Sequence, residues 1–162
     1  MTRPMNDKTK WTEADFDGMS WHDCQVNSMA LDQDGEWQSD LVIDLDFIVE
    51  WLCGTDKRCR FRVAPAVLRF THVDNLRLDI SLKLKQPLEI YSVERTEIPT
   101  KGYENFHWVI KVQNYPDMKE NLVEFDATGF IQELTGRAIE TESQNLAGAE
   151  RKESKDGWRT SA

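Results

Sequence analysis

No apolar run in this chain approaches the ~20 residues that a membrane-spanning helix needs, and none is therefore expected. The opening stretch, MTRPMNDKTKW, also lacks the apolar core of a secretory signal, so the expected location is the cytoplasm. Basic residues are in short supply. Lys and Arg number 20 against 29 Asp and Glu, leaving a net charge of −9. Such a surface repels nucleic acid and anionic membrane unless a basic patch is segregated. The densest basic run, Lys57-Arg58-Cys59-Arg60, is too short to be one. The expected partner is then a basic protein, with no role for nucleic acid or membrane. Cysteine is sparse and odd in number (Cys24, Cys53, Cys59), which speaks against a disulfide framework. In a reducing compartment all three are expected as free thiols. There is no GxSxG elbow, no GxGxxG turn and no phosphate-binding Walker loop, so no cofactor is expected. Amphipathic helical segments between the strands are missing too, which excludes a parallel α/β sheet.

What the chain does have is alternation. In Ser39–Trp51, SDLVIDLDFIVEW, the odd positions Leu41, Ile43, Leu45, Phe47, Val49 and Trp51 are all apolar. Period two over this length predicts a long strand with one face on a core. Leu76 to Lys85 alternates as well, predicting Leu76, Leu78, Ile80, Leu82 and Leu84 inward. Further strands are expected over 24–32, 60–70, 88–97, 106–115 and 122–127, and Asp34-Gly35 reads as a hairpin turn. Pro65 marks a strand start, an edge or a bulge. Residues 130–134 read as either strand or helix, and a short helix is expected within 137–151. The fold class is mainly β: an antiparallel sandwich or strongly curved meander with one or two short helices. Its divisions are a flexible arm over 1–10, one β-rich domain over 11–148 and a disordered tail over 149–162.

Two constellations could carry function. On the even face of the long strand stand Asp44, Asp46 and Glu50. Alternate residues of a strand lie ~7 Å apart, side by side rather than opposed across a groove as glycoside hydrolysis requires. The row reads as a solvated sheet face, as a charged contact surface with Trp37 or Trp51 as aromatic anchor, or as part of an active site completed by another segment. The second constellation is His22-Asp23. Neighbours in an extended chain point to opposite sides, so the two are not expected to pair. His22 and Cys24 share a side, and with Cys53 and Cys59 they make a Cys3His set of zinc-ligand types, but structural zinc sites use pairs two to four residues apart. No metal is expected on that spacing.

The segments SWHDC (20–24), LVIDLDFIVEW (41–51), FRVAPAVLRF (61–70) and ATGFIQ (127–132) resemble a family of small bacterial cytoplasmic proteins without an assigned activity. Their order is similar, more loosely, to that in immunity proteins of bacterial polymorphic toxin systems. Those carry a Trp/Phe-His-Asp motif before the first strand of a β-rich domain, matched here by Trp21-His22-Asp23. The resemblance implies a β-rich fold and no catalytic residue. The function expected is a non-enzymatic cytoplasmic protein-binding module, immunity-like, with an acidic sheet face. The alternative is a small metal-dependent enzyme using His22 and Asp23 with Asp44 and Asp46.

Overall fold

Among the described residues, ten antiparallel strands form one continuous sheet. The computed structural model describes residues 7–36, 38–114 and 117–158. Along the chain come β1 (Lys10–Thr12), a 3-10 helix (Glu13–Gly18), β2 (Gln25–Gly35), β3 (Gln38–Cys53), β4 (Cys59–Thr71) and β5 (Asp74–Asp79). There follow β6 (Leu88–Glu97), β7 (Phe106–Asn114), β8 (Asp117–Ala127), β9 (Gly129–Leu134), β10 (Ile139–Thr141) and α1 (Gly148–Lys155). Their order in the sheet is β1-β9-β4-β3-β2-β6-β7-β8-β5, with β10 on β4 off that path. The mainly β, antiparallel expectation holds.

The sheet bends at the seam between β2 and β6, where only Gln25 and Val26 pair, with Glu89 and Leu88. Its two halves therefore face each other. Phe70 of β4 meets Trp108 of β7 at 5.0 Å and Phe125 of β8 at 4.8 Å, both edge to face. Such ring pairs add about 0.5–1.5 kcal/mol each beyond the area they bury. Ile43, Leu45, Ile110 and Val123 complete this fully buried centre.

The long strand is central, flanked by β2 and β4. Its alternation holds from Leu41 to Phe47, all buried. A register shift between Ile48 and Glu50 then changes the phase. One extra residue exchanges the two faces of a strand. Trp51, expected inward, is thus 44% exposed and lies edge-on to Phe61, while Ile48, ahead of the shift, is buried on the same face as Asp46. Pro65 sits inside β4, between two hydrogen-bonded neighbours, yet loses little. On one side β10 covers Phe61–Val63 and β9 starts at Ala66, so the missing amide falls in the gap. The Pro65 carbonyl still accepts from the Thr135 amide at 2.8 Å.

Several expectations need correction. The segment expected as a strand from Leu76 to Lys85 ends at Asp79 and lies at the end of the sheet order. Leu76 and Ile80 are partly buried and pack against the core, as expected, but Leu78, Leu82 and Leu84 are exposed. Residues 80–87 instead form a strap across the ends of β8 and β7. Buried Asn121 accepts from the Ser81 amide at 2.7 Å, and buried Asn114 accepts from Lys83 at 2.6 Å while donating to the carbonyls of Gln86 and Pro87. The first hairpin turns two residues later than expected, since Gly35 still pairs with Gln38 and so belongs to the strand. The expected flexible arm reaches the sheet by Thr9, whose carbonyl accepts from Leu134. Residues 149–158, expected as disordered tail, form most of α1 and the turn after it.

Candidate functional site

The acidic row of β3 is covered from within the chain. Arg151 of α1 donates to both Asp44 and Asp46. Asp46 is fully buried; it also accepts from the Leu146 amide at 3.0 Å and from Asn27 at 3.2 Å. A buried carboxylate persists only when paired and hydrogen-bonded, and residues 146–151 supply both. The clamp is pinned further by Asn145 to Gln25 (2.6 Å), by the Ser154 hydroxyl to the Arg137 carbonyl (2.5 Å) and by the Trp158 indole to the Leu134 carbonyl (3.2 Å). The reading of Asp44 and Asp46 as a solvated face is therefore corrected, and the two are also not free for a partner. Glu50, farther along β3, is half-buried and 3.4 Å from Arg62. Trp51 is exposed beside it; Trp37 lies outside the described residues.

His22 and Asp23 do pair, contrary to expectation, at 3.1 Å. The backbone is the reason. Asp23 has φ 66°, the left-handed region that short polar residues tolerate. The chain turns there instead of running extended, so adjacent side chains converge. The turn is fixed by the Asp23 amide on the Ile90 carbonyl (2.9 Å), and the second carboxylate oxygen accepts from Gln144. Glu89 stands nearby. Burial, then the charge of Asp23, pushes its carboxyl above the ordinary range, with His22 opposing. The His22–Asp23 pair and the Asp44/Asp46 pair have separate partners, and no hydrogen bond between them is present among the described residues.

The three cysteines are not equivalent. Cys53 and Cys59 form a disulfide across the β3–β4 hairpin, with Cα atoms 4.1 Å apart, which corrects the expectation of free thiols. They are a directly opposed register pair, a relation set by the hairpin and invisible in the count of cysteines. Cys24 is fully buried; burial pushes its thiol up to about 12, so it stays protonated and inert. His22, by contrast, is exposed. The Cys3His set is thus not assembled, and among the described residues no three His, Cys, Asp or Glu side chains are placed to hold a metal ion.

A further surface feature is one that the alternation pattern pointed away from. Between the edge of β2 and the strap lies a groove of about 340 Å³, almost wholly apolar. Leu76, Leu78, Ile80 and Leu82 form one wall, and consecutive residues Val26 to Leu31 form the other. Leu31, Leu78 and Leu82 are exposed within it. Large apolar side chains clustered at a surface mark interaction sites far more often than scattered ones do.

The chain matches no family model, no curated protein and no solved structure. Its function must therefore be read from these residues. Among the described residues, no helix is long and apolar enough to cross a membrane.

Proposed function

We propose that this chain is a non-enzymatic protein-binding module whose contact surface is the leucine-lined groove between β2 and the strap. The observation that carries the reading is the exposure of Leu31, Leu78 and Leu82 around one apolar depression. Leaving about half of each such side chain in water forgoes roughly 1 kcal/mol of burial apiece, a gain that a partner recovers. The net charge of −9 selects a basic partner by long-range attraction, with no need for the clamped Asp44 and Asp46 as direct contacts. An immunity-like neutraliser of a basic toxin fits this chemistry, as does the resemblance carried by Trp21-His22-Asp23.

The test is selection of displayed protein fragments from the source genome against the full chain and against a Leu78→Asp/Leu82→Asp variant. Both leucines are exposed, so the variant is expected to keep its circular dichroism spectrum and melting temperature. Wild type should enrich basic fragments that the variant loses. Fragments enriched equally by both proteins would place the contact surface elsewhere.

A further inference from the structure

The groove has an unusual wall. Residues Asn27, Ser28, Met29, Ala30 and Leu31 all line it, odd and even alike. A strand presents only alternate residues to a surface that meets its face. Consecutive residues line a groove only where the strand is met along its edge. That edge is open. β2 pairs with β3 along its length, but on its other side only Gln25 and Val26 are paired, with β6. From Asn27 onward no strand among the described residues takes up the outward amides and carbonyls. In an antiparallel ladder every second residue directs its N–H and C=O to that side. The opposite wall is different in kind: Leu76, Leu78, Ile80 and Leu82 are side chains of one parity, spaced as on an extended segment.

We propose that the groove binds its partner by strand addition: an extended peptide segment hydrogen-bonds to the β2 edge from Asn27 to Asp32 and seats apolar side chains, at every second position, against the leucine wall. This deepens the binding-module reading and rests on it. The six edge residues extend for about 20 Å, which matches the four-leucine wall and exceeds what a compact small molecule spans. Backbone pairing supplies affinity and the alternate apolar positions supply register, the usual division in this mode of recognition. Charge decides between a partner and a second copy of this chain. Two copies each carrying −9 repel, whereas a segment with Lys or Arg at its intervening positions is attracted and meets the Asp32–Asp40 region, where Arg69 is shared between two carboxylates.

The test uses the full chain and a displayed library of random peptides. Winners should carry apolar residues at every second position, and Leu78→Asp should lose them. The best winner is then made in two N-methylated forms, one methylated at the apolar positions and one at the intervening positions. Only one of these sets faces β2, so one form should bind about tenfold or more weaker than the parent while the other binds nearly as well. Amide exchange of the full chain should slow at alternate positions among Asn27–Asp32 when the peptide is bound. Winners with helical spacing, or equal binding of both methylated forms with loss on Leu78→Asp, overturn strand addition and leave the groove as a contact surface. Winners indifferent to Leu78→Asp, or no winners, overturn both readings. Protection of the same amides in the peptide-free protein, together with a dimeric mass in sedimentation, assigns the edge to a second copy and overturns the proposal.

Discussion

Two carboxylates with opposite perturbations show how local surroundings set charge in this protein. Burial pushes Asp126 up, but the Asn75 amide at 2.8 Å and the His107 imidazole at 2.8 Å outweigh it, and the net shift is downward. Its contribution to stability is present above the ordinary carboxylate range and is lost as pH falls through the folded-state value. Glu89 runs the other way. Its raised value means that the ionised form is disfavoured in the folded state, a cost present at neutral pH and relieved as pH falls. Glu89→Gln is therefore expected to raise the melting temperature at pH 7, with the difference from wild type vanishing in acid. Melting curves across pH, with carbon-detected titration of the two carboxyls, check it; an effect constant with pH would remove ionisation as the cause. Neither shift was legible in the sequence, because each depends on partners brought in by tertiary contact. His22-Asp23 makes the same point: the pairing follows from one left-handed residue.

At the scale of elements, the strands were legible wherever a face is buried, since alternation records burial. β3, β6 and β7 stand close to where their patterns place them. Alternation failed where it recorded something else. Leu76 to Leu82 carries the pattern of a fully buried face but lines an open groove, with only Leu76 and Ile80 partly buried. The C-terminal helix was illegible for the opposite reason. Among its residues only Ser154 is buried, so it has no apolar stripe to betray it. It docks by hydrogen bonds and by Arg151. Close approach is part of that docking. A Cβ on Gly136 would lie 2.7 Å from the Pro65 ring and 2.9 Å from the Ser154 carbonyl, and would meet the Ser154 hydroxyl as well. Gly136→Ala is expected to cost about 1–3 kcal/mol, with the loss concentrated in α1. Hydrogen exchange or limited proteolysis should show residues 144–158 opening before the sheet; uniform destabilisation would contradict the clamp.

Over the whole molecule, a single sheet folded on itself supplies the stability, and the Cys53–Cys59 bond closes only a short hairpin, six residues apart in sequence. Loop-closure entropy for so small a ring amounts to about 2 kcal/mol. Reduction should lower the melting temperature modestly and leave a folded protein, with Cys24 resisting alkylation until unfolding. Thiol labelling during a melt, with and without reductant, tests both statements; collapse of the fold on reduction would give the disulfide a larger role. The clamp also bears on how the protein comes into being. Arg151 follows Asp46 by 105 residues. At a synthesis rate of about 5–20 residues per second, the carboxylate waits roughly 5–20 s for its counter-ion. During that time the central strand cannot close over its own charge without penalty. Closure of the sheet over Asp46 is therefore favoured only once α1 has been made.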